Sequence, residues 1–230
     1  MKRIILLLNL MFPALFVFTE SEVENIFSND NKNQLFMNVE VALAEAQSEL
    51  GIIPDWAANE FKQKADIKYL ENKEVVKENS KVRHGLVARL NVWKRSLNDE
   101  ASEFLHYGAT TVDIMDTVLV LQIDNSLDYL IKDLLEVETH LLKLTKEHLN
   151  TYMAGRTLGQ HALPITFGKK TGTWLAENRR NIERLKHVRS KVQRSGILKG
   201  AVGSYLGLGE QAIETEAIMM KKLGLAEPSK

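Results

Sequence analysis

The chain has 230 residues and balances 30 Lys+Arg against 30 Asp+Glu, so no global charge field draws it to nucleic acid or an acidic membrane. It has no cysteine, which excludes disulfides, thiol catalysis and thiolate metal sites. Thirteen glycines and four prolines are few, and fit a helix-rich chain long enough to bury a sizeable core.

In chain order, MKRIILLLNLMFPALFVF sets two basic residues before an apolar run of signal-peptide length. The run is short for a membrane span, Asn9 and Pro13 interrupt it, and no small-x-small cleavage site follows. Residues 1–17 are therefore set apart as an apolar leader. The expected location is cytoplasmic; a working leader would make the protein membrane-associated or exported.

DNKNQLFMNVEVALAEAQSELGIIP opens on the start signal Asp30, carries apolar residues at helical spacing and stops at Gly51 and Pro54. PDWAANEFKQKA reads as a second, shorter helix. KEVVKENSKVRHGLVARLNVWKRSL holds at least one more, broken near Asn79-Ser80 and restarting around His84. From Thr111 to Asn150 there is neither glycine nor proline, and Leu127, Leu130, Ile131, Leu134, Leu135, Leu141 and Leu142 form a stripe. Such a helix would be a rod of roughly 60 Å. A second long helix is expected from near Pro164 to about Arg194. No alternating strand pattern and no repeat is visible. These elements predict an all-α chain dominated by long helices over 112–150 and 165–195, burying the stripe against helices of other subunits.

Polar residues gather at the helix starts. In HYGATTVDIMDT, Thr110 or Thr111 is a natural N-cap and Asp113 lies in the first turn. In AGRTLGQHALPITFG, Arg156, Thr157, Gln160 and His161 precede the second long helix, with Pro164 in or near its first turn. His84 stands at another start, and GAVGSY, with Ser204, is a small-residue turn after the second long helix. Free backbone N–H groups and hydroxyls at such ends favour anions such as carboxylates. Singly, each has a plain structural explanation, but the design repeats. His140 and His148, eight apart on the long helix, read as solvated, and no carboxylate–histidine pair has metalloprotease spacing; no metal and no cofactor is expected. The basic run KKTGTWLAENRRNIERLKHVRSKVQR reads as a solvated or subunit-contacting face. GSYLGLG lacks the lysine of a phosphate loop.

FLHYGATTVDIMDTVLVLQ and MAGRTLGQHALPITFGKK resemble the first two motif regions of the fumarase/aspartase superfamily, in the branch of adenylosuccinate lyase and 3-carboxy-cis,cis-muconate cycloisomerase. IFSNDNKNQLFMNVEVALAEAQSELGIIP resembles that branch's N-terminal helical region, and LKGAVGSY its Gly-Ala-Val-Gly turn. The resemblance runs from about Phe18 to the C-terminus. It implies an L-aspartase-like fold: an N-terminal helical domain (18–110) and part of a long central helix bundle (111–230). It further implies a homotetramer, active sites built from loops of three subunits, and a small carboxylate-bearing substrate. In such chemistry a base removes a proton beside a carboxylate, donors hold the developing charge, and a histidine protonates the leaving group. On this pattern His161 and His84 are the catalytic candidates. Thr110, Thr111, Asp113, Arg156, Thr157, Gln160 and Ser204 are the substrate-binding ones.

The chain also departs from the pattern. Leu158 stands where adenylosuccinate lyases carry a general-acid histidine, whereas cycloisomerases carry a histidine where His161 stands. Val17 and Phe18 replace an Arg-Tyr pair that helps bind nucleotide phosphate. The Gly-Ser-Ser-x-Met-Pro loop with the catalytic serine is absent from these residues. The sequence thus resembles an N-terminal fragment, inactive alone and completed by a separate C-terminal half. The other expectation is a catalytically inactive helical assembly protein or the remnant of a broken lyase gene.

Overall fold

A computed structural model describes residues 20–228, with side chains described from Val23. The apolar leader and the Val17–Phe18 departure lie outside the described residues. Two compact units are present: the described residues through Gln122 together with those from Ser195, and an inserted unit, Ile123–Arg194.

The regular elements of the first unit are all helical among the described residues. After α1 (Glu20–Ile26), Ser28 caps α2 (Asn29–Glu49), its hydroxyl accepting from the Asn31 N–H at 3.1 Å. Helix α2 is apolar around most of its girth, with Phe36, Met37, Val39, Leu43 and Ala46 all buried, so it is the central element. It ends as the glycine signal requires: Gly51 is left-handed (φ 71°), and the Ile52 N–H returns to the Gln47 carbonyl at 2.8 Å.

Pro54 then leads into α3 (Asp55–Gln63), followed by α4 (Asn72–Val82), α5 (Gly85–Lys94) and the short α6 (Asp99–Ser102). Trp93 of α5 packs against Phe36 and Phe61, with ring centroids 6.3 and 6.1 Å away. Its indole N–H donates to the Lys64 carbonyl at 2.8 Å, so the ring is buried with its polar atom satisfied. Truncating a ring of this kind costs about 3–5 kcal/mol. The break expected at Asn79-Ser80 falls later. Helix α4 continues until Arg83 turns left-handed (φ 53°), its N–H on the Asn79 carbonyl. The last helix, α9 (Ala212–Lys222), returns to α2: Met219 and Met220 are buried, and Lys222 reaches Glu49 (2.6 Å) and Glu45 (3.5 Å).

Helix α7 (Thr111–Glu147) begins in the first unit, where Ile114 and Val118 are fully buried, and runs into the second. There it pairs antiparallel with α8 (Phe167–Val192). Arg189 bridges Asp124 (2.8 Å) and Asp128 (2.5 Å), Asn178 donates to the Leu134 carbonyl (2.8 Å), and Arg179 meets Glu138 (2.8 Å). Gly168 permits the closest approach, since a Cβ there would lie 2.7 Å from the Thr145 carbonyl oxygen and 2.8 Å from that of His148. Of the leucine stripe only Ile131 is buried, and Leu130 and Leu135 are exposed.

Three expectations are corrected here. The stretch before α8 is a β-hairpin, β1 (Tyr152–Thr157) and β2 (Gln160–Thr166), the one sheet among the described residues. Pro164 is a strand residue opposite Ala154 at an irregularity in the register, where its missing N–H is tolerated. Helix α8 starts at Phe167, capped by Thr166, whose hydroxyl accepts from the Lys169 N–H at 3.0 Å. Finally, α7 ends at Glu147, so His148 is not mid-helix: it sits in the corner before β1, bonded to Thr151 Oγ1 (3.1 Å) with its ring edge-on to Phe167.

Candidate active site

In the first unit the site candidates collect around Asp113. The carboxylate is fully buried at the third position of α7. One oxygen, Oδ1, accepts from the Lys199 N–H (2.8 Å); the other, Oδ2, accepts from the N–H groups of Gly200 (3.0 Å) and Thr110 (3.0 Å). The Thr110 bond is half of a capping box, reaching back to the N-cap amide. The other two fasten the Gly200–Tyr205 turn to the same corner. That turn is also held by Glu216, which accepts from the Leu198 N–H (2.8 Å) and the Tyr205 hydroxyl (2.8 Å). Burial, then the bond to Glu216 and the charges of Glu216 and Asp113, push the Tyr205 hydroxyl up to about 12.

The two stretches singled out in the sequence, HYGATT and GAVGSY, therefore meet. A Cβ on Gly108 would lie 3.0 Å from Leu208 Cδ2 and 3.1 Å from the Gly207 carbonyl oxygen, so the corner is tight as well as bonded. Thr110 and Thr111 are half-buried, Ser204 is exposed, and none of their hydroxyls bonds to a described residue. His84 is exposed and caps α5, its Nδ1 accepting from the Val87 N–H at 3.3 Å. In a neutral ring so used, the proton sits on Nε2.

In the second unit, Arg156 stands opposite His161 and Thr157 opposite Gln160, at the end of the hairpin. Leu158 (φ 46°) and Gly159 (φ 78°) form the two-residue turn between them, both left-handed as a type I′ turn demands. Leucine is a poor choice there, and its side chain is fully exposed. All four polar side chains at this tip are exposed and make no bond to a described residue.

Sequence reading passed over Glu40 and His106. Glu40 Oε1 lies 2.8 Å from His106 Nδ1. Burial pushes the His106 imidazole down, but the bond and charge of Glu40, aided by Asp113 and opposed by Lys94, raise it above its ordinary value. The one signal was a lone carboxylate within the apolar run of α2. Among the described residues there is no cluster able to hold a metal ion, and no helix is long and apolar enough to cross a membrane.

Residues 13–229 match the model of a family described as Lyase. The chain belongs to this lyase family. It is 36% identical to the N-acetyl-S-(2-succino)cysteine lyase of Dickeya dadantii, with 92% of the chain aligned to 46% of that protein. It is likewise 36% identical to the adenylosuccinate lyase of Pyrococcus abyssi, over 93% of the chain and 47% of the relative. Among solved structures, the β-carboxy-cis,cis-muconate cycloisomerase of Acinetobacter calcoaceticus superposes with a TM-score of 0.83 at 27% identity, over 91% of this chain and 49% of that one. The lyase-family chain thus has the fumarase/aspartase fold, its regular elements helical apart from the hairpin among the described residues, and spans about half the length of the curated relatives it matches.

Proposed function

We propose that this lyase-family protein contributes to a site that eliminates across the carbon–heteroatom bond of a substrate bearing a 2-succino (1,2-dicarboxyethyl) group and releases fumarate. The observation that carries the reading is the hairpin tip: Arg156, Thr157, Gln160 and His161 are exposed, and the fold spends none of their polar atoms on described residues. Both named relatives are lyases whose names carry a succino or succinate group. In the reaction a base takes the proton beside a carboxylate, that electron pair becomes the new C=C bond, and the heteroatom leaves with a proton from an acid. His161 is the proton donor. Thr110, Thr111 and Gln160 hold the carboxylate on which charge develops. His84, Arg156, Thr157 and Ser204 make further substrate contacts. Asp113 acts through Thr110 and the 199–200 turn, since its own oxygens are occupied.

Leu158, standing where adenylosuccinate lyases carry their acid histidine, favours a second reading: a cycloisomerase that closes a lactone ring on a carboxymuconate. On this reading the serine that acts as base comes from residues outside these 230, and turnover by them alone is not expected. It also needs neighbouring subunits, and the exposed Leu130, Leu135, Val137, Trp174 and Val188 of α7 and α8 support a homotetramer.

The test is turnover by the chain reconstituted with a C-terminal half, assayed on N-(2-succino) amines, S-(2-succino) thioethers and carboxymuconate. His161→Ala lowers the rate about 10²–10⁴-fold. His140→Ala, at an exposed residue facing Glu136 of the same helix, changes nothing. Equal, small effects from both would remove the proposed acid. Fumarate release by the 230-residue chain alone, or a compact monomer at micromolar concentration in sedimentation, would refute the incomplete, multi-subunit site.

A further inference from the structure

The segment that delivers Thr110 and Thr111 is pinned from two sides. On one side Asp113 holds the Thr110 amide. On the other, α2 supplies two side chains two turns apart: Glu40, against His106 Nδ1, and Gln47, whose Nε2 donates to the Tyr107 carbonyl at 2.8 Å. His106 itself is left-handed (φ 64°), a conformation that crowds its Cβ against the following carbonyl oxygen. Something must hold it there.

Glu40 is 1% exposed, and its second oxygen, Oε2, has no partner. A buried carboxylate is retained only where it is paired; removing one partner alone is costly, but replacing the whole pair with apolar side chains is often neutral or stabilising. Its place in the apolar core of α2 is therefore poorly explained by stability alone. It is well explained by what it grips. The charged groups that act on His106 are Glu40 on α2, Asp113 on α7 and Lys94 on α5, and Glu40 is the one bonded to it.

We propose that Glu40 is a positioning residue: through His106 it clasps the left-handed 106–108 turn to α2 and so sets the placement of Thr110 and Thr111. The clasp closes when the imidazole is protonated and loosens when it is neutral. The purpose assigned to it rests on the lyase reading above, but the clasp is measured without any turnover.

Deuterium uptake of the full protein, followed by mass spectrometry from pH 5 to 9, reads both quantities. Exchange at the His106 imidazole C2 gives its titration midpoint, and amide exchange over 106–111 gives the tightness of the turn. In the wild type, amide exchange over 106–111, corrected for its intrinsic pH dependence, accelerates as the imidazole deprotonates. Glu40→Gln, which preserves shape, lowers the proton affinity of His106 about tenfold or more. It speeds exchange over 106–111 about tenfold, leaving 167–192 unchanged. His106→Asn, tolerant of the left-handed region, keeps the fold but abolishes the pH dependence over 106–111. The proposal is overturned if Glu40→Gln leaves the midpoint in place, or if wild-type protection over 106–111 does not follow that midpoint. Should Glu40→Gln not fold, the wild-type profile against that of His106→Asn decides. Failure of the lyase reading would appear only in the turnover assays and leave these readouts untouched.

Discussion

Replacing Asp113 with asparagine tests whether its carboxylate is a clamp. The substitution preserves size but exchanges one acceptor oxygen for a donor NH₂ and removes the charge. In the native corner Oδ1 receives one N–H and Oδ2 receives two. Whichever way the amide is turned, at least one backbone N–H then faces another donor, in a site with no exposure to water. A hydrogen bond to a charged group contributes about 1.5–3 kcal/mol, and a buried donor left unpaired costs about 1–3 kcal/mol more. With the charge lost from the remaining bonds, the expected destabilisation is about 3–4 kcal/mol. Urea denaturation measures it as a shift in midpoint at constant slope, and thermal unfolding should fall by roughly 6–16 °C for a chain of this size. Asp113→Glu should also destabilise, because the longer side chain cannot fit the same three donors. An Asp113→Asn protein of unchanged stability would refute the reasoning and return the carboxylate to the list of groups free to meet substrate.

Gly168→Ala sets a methyl group against the Thr145 and His148 carbonyl oxygens, which are backbone atoms and cannot swing aside. It should cost about 2 kcal/mol or more in urea titration, with faster amide exchange concentrated in Ile123–Arg194. Leu158→Asn relieves the left-handed strain at the hairpin tip and should stabilise by about 1 kcal/mol in the same titration; a loss would mean that the leucine has a partner. The raised imidazole of His106 gives a pH dependence with a definite sign. Its contribution is complete below about pH 6.5, the ordinary histidine value, and disappears as the pH rises through the raised one. His106→Asn should flatten that part of the stability profile, and an unchanged profile would count against the pairing with Glu40.

Much of the first unit was legible because its punctuation is local. Gly51 and Pro54 end α2 and introduce α3, and the stretch without glycine or proline after Thr111 is one helix to Glu147. The hairpin was not legible. Neither strand buries an alternating face, so the period-two signal that marks a strand is missing, and its turn is Leu-Gly rather than Asn-Gly. Asp113 was recognisable as a first-turn carboxylate, but its partners at Lys199 and Gly200 are far away in sequence. Glu40 and His106, likewise remote from one another, carry no spacing signature at all.

The division of the chain also has a consequence during synthesis. The first unit is discontinuous: α2 leaves the ribosome before the inserted unit, but α9, which covers it with Met219 and Met220, is made after the whole of that unit. At about 5–20 residues per second, translating residues 123–194 takes roughly 4–14 s. For that interval α2 shows an apolar flank to solvent, while the continuous helical pair of the second unit already has both its partners. Nascent-chain folding should therefore run out of sequence order, the inserted unit settling first and α2 waiting, in the care of chaperones, for α9.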